Sequence, residues 1–174
     1  MSTTPQSADQ PFVAHAAGEG EPLSSGATIV GRSEWTDDAF CTLRSVVAPG
    51  FFSPVHLHRE QSQTSVVLSG TLGFWVEGEE EVVLGPGGYV FRPKGRNHAF
   101  WNPTEEAAEV LEITSPSGDF QQWMLDLSEM MAGDGASKEE VAVRAEQAGI
   151  VFAPGLTAEL TERLGLGSSD VFGK

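Results

Sequence analysis

Three histidines and one glutamine have the side-chain types and spacing that could bind a metal ion. His56 and His58 form a His-x-His pair, and His98 follows forty residues after His58. Residues i and i+2 of a β-strand project from the same face, about 6.6 Å apart along the strand, so two imidazoles can converge on one ion. Strand histidine pairs also occur in purely structural roles. The pair alone therefore does not define a metal site, and its surroundings must be considered.

The residues around these histidines follow two regular spacings. The first block reads Gly50, five residues, His56, one residue, His58, four residues, Gln63, six residues, Gly70. The second reads Gly87, five residues, Pro93, one residue, Gly95, two residues, His98, three residues, Asn102. These blocks resemble the two signature motifs of the cupin superfamily, G(x)5HxH(x)3,4E(x)6G and G(x)5PxG(x)2H(x)3N. Every fixed position of the second motif is matched, and the first departs only at Gln63, where the family usually has glutamate.

The resemblance implies both a fold and a site. The implied fold is all-β, a cupin jelly-roll barrel built as an antiparallel β-sandwich, with a C-terminal helical extension. The implied site is one divalent transition metal (Fe, Mn, Ni, Cu, Co or Zn) held by His56, His58, Gln63 and His98. Glu60 is a second-ranked carboxylate in place of Gln63, and a three-histidine site beside a solvated Gln63 is a further alternative.

Gln63 sets the expected chemistry of this site. An amide oxygen can bind a metal, but it adds no negative charge and takes up no proton near neutral pH. Three neutral imidazoles and an amide would leave the charge of a divalent ion uncompensated, which favours an anionic substrate such as an enolate or phenolate. A metal-bound hydroxide or the substrate's own ionised oxygen would replace the missing base.

Two phenylalanines are candidates for the substrate pocket. Phe100 lies two residues after His98 and so shares its strand face, and Phe74 belongs to an alternating set that points inward. Both are therefore expected to border the metal cavity, with ordinary core packing as the simpler alternative for each.

The elements that must position these residues are short strands. Between residues 26 and 114, apolar runs are broken by Gly, Pro and Asn at the spacing of an antiparallel sandwich or barrel. The predicted strands are 27–31, 40–48, 63–68, 72–76, 81–84, 89–92, 99–101 and 109–114.

The pattern becomes helical after residue 115. Apolar residues, several of them Met, recur at three- and four-residue steps over 119–131, which predicts an amphipathic helix with Ser117 as N-cap and Gly133 as its end. We interpret the Met-rich stripe as cover for an open sheet face or a dimer partner, not as a cofactor site.

Further helical signals follow towards the C-terminus. Ser137 and Glu140 match a capping box, so a second helix is predicted from Ser137 to Gly149. An extended stretch over 150–152 and a third helix over 157–164 complete the predicted extension.

Length and composition suit one core domain with tails. We expect a flexible N-terminal tail over 1–24, the barrel over 25–116 and the helical extension over 117–174. The net charge of −15 argues against nucleic acid or an anionic membrane as partner. The lone Cys41 excludes an intrachain disulfide framework. Since the sequence also shows no secretory signal or membrane-spanning run, we expect a cytoplasmic protein.

Three functions stay open at this level. The chain resembles quercetin 2,3-dioxygenase-like cupins in its motifs and, loosely, in its "AGIVFAPG" segment, which implies an oxygenase that cleaves an enolisable aromatic molecule. Cupins with three histidines and a glutamine that act as hydroxynitrile lyases or polyketide cyclases imply non-redox metal chemistry instead. The third function is a non-enzymatic ligand-binding module. In each case the partner is a small molecule, and a homodimer is expected because sheet edges and the helix that carries Met and Trp need covering.

Overall fold

The computed structural model describes residues 11–132 and 135–166 and shows two antiparallel sheets packed face to face, with three helices towards the C-terminus. In spatial order, the larger sheet contains β1 (Glu21–Pro22), β2 (Ala27–Gly31), β3 (Cys41–Val47), β10 (Ala108–Ser115), β5 (Ser62–Ser69) and β8 (Tyr89–Arg92). The smaller sheet contains β11 (Ile150–Phe152), β4 (His56–His58), β9 (His98–Trp101), β6 (Leu72–Val76) and β7 (Val82–Leu84). The helices are α1 (Phe120–Ala132), α2 (Lys138–Gln147) and α3 (Pro154–Arg163). The prediction of an antiparallel β-sandwich with a C-terminal helical part is confirmed.

The inner face of the larger sheet changes from apolar to polar along its length. Burial alternates along β5 and β10, so every second residue of each strand faces the interior. From the apolar end, the facing pairs on the two strands are Val67 with Val110, Ser65 with Glu112, and Gln63 with Thr114. Arg92 on β8 lies beside Gln63. One end of the sandwich is therefore an ordinary apolar core, and the other presents polar groups towards the smaller sheet.

The turn after β5 shows why glycine stands at one end of the first motif. Gly70 has a φ of 70°, and a Cβ at this position would lie 2.7 Å from the Cα of Ala108. Any other residue would therefore meet backbone strain and a clash. Gly70 lets the chain leave β5 and enter the smaller sheet directly through β6.

The C-terminal extension is part of the sandwich. Strand β11 pairs with β4, which places Phe152 opposite His56. Helix α1 packs its apolar face, including Phe120 and Trp123, on a core cluster that also contains Leu43 of β3. The extension thus covers the end of the sandwich that carries the motif histidines.

The helix caps agree only in part with the sequence predictions. The capping box at α2 is confirmed, because the Glu140 N–H donates to Ser137 Oγ at 3.2 Å and the Ser137 N–H donates to Glu140 Oε2 at 2.8 Å. The Ser117 cap is wrong: its hydroxyl makes no hydrogen bond to any described residue, and its carbonyl accepts from the Phe120 N–H instead. Gly133, predicted to end α1, lies outside the described residues. Helix α3 begins three residues before the predicted 157, because Pro154 suits the first helical turn.

The N-terminal boundary also differs from the expected tail over 1–24. Glu21 and Pro22 form β1 and pair with β2, and Leu23 is buried in the core. The sheet therefore begins before residue 25, and residues 1–10 lie outside the part of the chain that is described.

Candidate metal centre

Two neighbouring strands of the smaller sheet bring three histidines together. His56 and His58 project from one face of β4, and His98 on β9 is the direct cross-strand partner of His56. The ring centroids are 4.6 Å apart for His56 and His98, 5.1 Å for His56 and His58, and 5.5 Å for His58 and His98. One ligand nitrogen from each residue lies within 4.8 Å of the other two. The cluster is therefore compatible with one divalent metal ion.

Backbone carbonyls orient two of the three rings. Nδ1 of His56 lies 2.7 Å from the Pro54 carbonyl oxygen, and Nδ1 of His98 lies 3.0 Å from that of Arg96. Because a carbonyl only accepts hydrogen bonds, each Nδ1 carries the proton and each Nε2 keeps its lone pair. This arrangement is typical of metal-binding histidines, whose second nitrogen is fixed by an outer hydrogen bond.

Several nitrogens of the cluster are buried without a hydrogen bond. Nε2 of His98 and both ring nitrogens of His58 have no partner within the described ranges. Buried polar atoms without a partner are costly and uncommon in folded proteins, so they indicate a missing ligand. A cation would satisfy one nitrogen of each ring, including Nε2 of His98 and one of the two nitrogens of His58, so the residues present fit a metal ion.

Burial keeps all three imidazoles neutral. It lowers the pKa of His56 from 6.5 to about 4 and lowers the pKa values of His58 and His98 well below 6.5. The neighbouring imidazoles and the Arg92 guanidinium lower the pKa values of His58 and His98 further. Neutral imidazole is the form that binds a cation, so the cluster is ready to bind metal at neutral pH.

These lowered pKa values predict a pH-dependent stability of the metal-free protein. Below about pH 6.5 the histidines of the unfolded chain take up protons, whereas in the folded protein the pKa of His56 is about 4 and the pKa values of His58 and His98 also lie well below 6.5. The unfolded state then binds more protons, so stability falls as the pH falls through this window. Thermal melts in chelator between about pH 7.5 and pH 5 should show a decreasing midpoint. A His58→Asn variant should show a flatter profile, and a flat wild-type profile would contradict the buried neutral cluster.

Gln63 lies across the sandwich from the histidines, on the inner face of β5. Its side chain is 4% exposed and lines the same cavity as His56 and His58. Its Nε2 donates to Thr114 Oγ1 at 3.3 Å, while its Oε1 accepts no hydrogen bond from any residue described. The alternative in which the Gln63 side chain is exposed to solvent is therefore wrong. Its role as a metal ligand stays a prediction, supported by the free amide oxygen.

Glu60 is not placed to replace Gln63. Its side chain is 74% exposed and lies 3.8 Å from the Lys94 ammonium at the surface. The strand that carries Gln63 begins at Ser62, so Glu60 lies in the turn between β4 and β5. The carboxylate alternative to Gln63 is therefore wrong.

The cavity beside the cluster has a volume of about 490 Å³ and walls that are mainly apolar. Aromatic and aliphatic side chains form most of it: Phe51, Phe100, Phe120, Trp123, Leu127 and Phe152. Phe100 thus lines the cavity as the sequence predicted. Phe74 does not, since it is buried in the apolar core with Leu72 and Val110, and its ring centroid lies 6.2 Å from that of Phe100.

Helix α1 forms one wall of this cavity, which the sequence interpretation missed. Trp123, Met124 and Leu127 line it, and the ring centroid of Phe120 lies 5.4 Å from that of His58. The Met-rich stripe therefore does more than cover a sheet. The helical periodicity was visible in the sequence, but it gave no indication of which surface the stripe contacts.

A buried ion pair is the second feature that the sequence interpretation missed. Arg92 and Glu112 both line the cavity, and Arg92 Nη2 donates to Glu112 Oε1 and to Ser65 Oγ. The alternation of Val110, Glu112 and Thr114 along β10 was the signal that could have placed the carboxylate inside. The cavity thus contains a carboxylate, but one that is already paired with a guanidinium.

The two facing sheets and the histidine cluster on their inner surface define a cupin-type sandwich. Residues 43–114, from β3 to β10, match the family model described as "Cupin_2: Cupin domain". Over these residues, which make up less than half of the chain, the sandwich is therefore similar to a cupin domain. No curated protein matches the chain.

Solved structures give likenesses over part of the chain. DMSP lyase DddQ from Ruegeria pomeroyi DSS-3 is 27% identical, with a TM-score of 0.42, over 45% of this chain and 39% of the lyase. A protein from Thermus thermophilus is 28% identical, with a TM-score of 0.47, over 58% of this chain and 90% of that protein. A cupin-like protein from Thermotoga maritima is 20% identical, with a TM-score of 0.47, over 52% of this chain and 67% of that protein. The chain thus spans well under half the length of the DMSP lyase.

Within residues 11–132 and 135–166, no helix is both long and apolar enough to span a membrane.

Proposed function

We propose that this protein is a metal-dependent enzyme that acts on a small enolisable or aromatic molecule. The proposed ligands are His56, His58, His98 and Gln63. The observation that carries the proposal is the convergence of three neutral imidazoles, those of His58 and His98 buried and that of His56 half-buried, beside an apolar cavity of about 490 Å³. A purely structural ion would not require an adjoining cavity of substrate size.

The walls of the cavity suit a flat, mainly apolar substrate. Phe100 of β9 and Trp123 of α1 offer aromatic surfaces to the cavity, and Phe120 of α1 packs against His58. A divalent ion bound by these residues would supply Lewis acidity for an enol or phenol oxygen. Because the proposed donors are all neutral, they leave the charge of that ion available to an anionic substrate.

Oxidative cleavage is the reaction that we propose first, with O2 as the co-reactant. The motif resemblance to quercetin 2,3-dioxygenase-like cupins supports this choice, as do the aromatic walls. The test begins with metal analysis of the purified full-length chain. Metal-free protein is then loaded separately with Fe(II), Mn(II), Ni(II), Co(II) or Zn(II), and O2 uptake is followed with quercetin and with simple 1,3-diketones.

The expected result is O2 uptake that matches substrate loss with at least one redox-active metal and is absent with zinc. Metal-free protein and the His98→Ala variant serve as controls. The absence of uptake with all redox-active metals and both substrate types would contradict the oxygenase.

A non-redox lyase or cyclase is the second candidate, and the neutral donor set favours it. A zinc ion with no anionic ligand would keep its full Lewis acidity towards a carbonyl or alkoxide oxygen. Zinc-loaded protein should then cleave an aromatic cyanohydrin or cyclise a polyketide mimic without consuming O2. If substrates bind to the metal-loaded protein but no turnover occurs with either reaction type, the protein is a binding module.

We also propose that the protein is a homodimer that forms through the edge strands β7 and β8. Val83, Tyr89 and Phe91 on these strands are 58%, 61% and 53% exposed. Large exposed apolar side chains on unpaired strand edges favour association with a second copy. Most of the stripe of α1 packs on the sandwich, although Met131 at its end is 40% exposed.

A charge-introducing variant tests the dimer. The double substitution Val83→Lys/Phe91→Lys should convert the dimer to a monomer in light scattering coupled to gel filtration. Val143→Lys, on the exposed face of α2, is the matched control and should leave the dimer intact. A wild-type monomer would contradict the proposal.

We propose a cytoplasmic location, supported by the buried free thiol of Cys41, whose pKa burial raises to about 11. Cell fractionation of the source organism with an antibody against the full chain checks this. Recovery in a secreted or periplasmic fraction would contradict it.

A further inference from the structure

We propose that Arg92 binds a carboxylate of the substrate, on the cavity wall that faces the histidine cluster. This inference deepens the proposed function and rests on it, because it names the substrate class as aromatic or otherwise apolar carboxylic acids. The site consists of the Arg92 guanidinium, held by Glu112 and Ser65 and flanked by Phe100.

The first observation is the burial of a charged side chain with a free donor. Arg92 is 1% exposed and lines the cavity. Its Nη2 is engaged by Glu112 and Ser65, but its Nε–H has no hydrogen-bond partner in the described part of the chain. A buried guanidinium N–H without an acceptor is costly, and the oxygen of a ligand that displaces the cavity wall beside Nε would satisfy it.

The second observation is the rigid hold on the guanidinium. Glu112 and Ser65 anchor one end of it, and its Cζ lies 5.8 Å from the ring centroid of Phe100. These contacts fix the plane of the group before any ligand binds. Buried ion pairs contribute little net stability, so fold stability alone does not account for Arg92 at this position. An orienting role towards a ligand accounts for both the pair and the free donor.

The position of Arg92 selects the type of anion. The histidine cluster lies on the smaller sheet, whereas Arg92 lies on the larger sheet. A phenol or enol has a high pKa and would need direct contact with the ion to be charged at neutral pH, whereas a carboxylic acid is ionised unaided. We therefore expect a carboxylate to be the substrate group that contacts Arg92 while another part of the substrate contacts the metal. The apolar walls of the cavity would contact the part of the substrate that lies between its carboxylate and its metal-binding group.

The experiment measures binding, not turnover, and uses trans-cinnamate and trans-cinnamamide as probes of nearly equal shape. Calorimetric titrations are made with the full-length chain in metal-free and zinc-loaded forms. Wild-type protein should bind cinnamate about tenfold or more tightly than cinnamamide in both forms, as one charge-assisted hydrogen bond allows. The absence of this preference in wild-type protein would overturn the proposal.

Paired variants separate this role from a structural one. Arg92→Gln/Glu112→Gln removes both charges while keeping amides that can hydrogen-bond, and it should reduce the cinnamate preference to near unity. Arg44→Gln/Glu109→Gln removes a 3.3 Å ion pair between partly exposed residues of β3 and β10 and should leave the preference unchanged. If the first variant does not fold, Arg92→Leu/Glu112→Leu replaces the ion pair with apolar side chains and should also lose the preference. Preference retained in the folded Arg92 variant would overturn the proposal.

The two metal states distinguish this proposal from the proposed function. A preference that appears only with zinc and survives the Arg92 substitution would mean that the carboxylate binds the ion. That result would overturn the role of Arg92 and leave the metal-dependent function intact. Conversely, a preference that depends on Arg92 in a protein that binds no metal would support the carboxylate site and contradict the metal-dependent function.

Discussion

Replacement of His98 by alanine is expected to abolish metal retention. His98 supplies the only cluster nitrogen on β9, and the two remaining imidazoles both come from β4. Loss of one of three closely spaced donors should weaken zinc binding by at least about 100-fold, more than the loss of an outer hydrogen bond to a ligand. Competition with a chromophoric chelator gives the affinity, and elemental analysis after gel filtration gives the occupancy.

His15→Ala is the matched control for this prediction. His15 stacks on Trp35 at a ring-centroid distance of 6.2 Å, outside the cluster, so its loss should leave occupancy unchanged. Circular dichroism checks that the His98 variant keeps its fold, and His98→Asn provides a second variant of more similar size. Full occupancy in a folded His98 variant would show that the ion is held elsewhere.

The histidine cluster was predictable because one part of it follows a local spacing rule and the other part follows the motif resemblance. The i, i+2 spacing fixes the common face of His56 and His58, and the second motif carries His98 into the neighbouring strand. The registers of the long strands follow from alternation of buried and exposed residues, as along β5 and β10. Residue spacing, motifs and alternation can all be read from the sequence, so the strands and the histidine cluster could be inferred from them.

The position of Phe74 relative to the cavity could not be predicted in the same way. All five residues of β6 are buried, because its inner face lies in the apolar core and its outer face, at Trp75, packs against α3. Alternation in the sequence correctly placed Phe74 on the inner face of β6, but it gives no information on how far Phe74 lies from the cavity. The distance of Phe74 from the polar end of the sandwich depends on the register between strands, which its own sequence does not encode.

The contact between Arg92 and Glu112 could not be predicted from the sequence, for a related reason. The two residues are twenty positions apart and lie on β8 and β10, which both pair with β5. Their contact therefore depends on the spatial order of three strands. The inward position of helix α1 likewise depends on tertiary packing, since an amphipathic helix shows which of its faces is apolar but not what that face contacts.

The substitution Gln63→Glu is expected to raise metal affinity and to lower the stability of the metal-free protein. A carboxylate in place of the free Oε1 would add a charged donor to the three neutral imidazoles, which should tighten zinc or manganese binding by about tenfold or more. Without metal, the new acid group is buried and cannot keep the same contacts, which should cost about 1–3 kcal/mol. Chelator competition and denaturant melts with and without metal measure both effects.

The same variant separates the candidate reactions, because a carboxylate near the ion adds a base and reduces Lewis acidity. Gln63→Glu should therefore increase oxygenase activity or decrease lyase or cyclase activity. Gln121→Glu is the control, because Gln121 is equally buried but accepts from the Ser33 N–H at 2.7 Å, away from the cavity. It should destabilise the protein and leave metal affinity unchanged. If Gln63→Glu also leaves metal affinity unchanged, the amide at this position is not a ligand, and the site is a three-histidine centre.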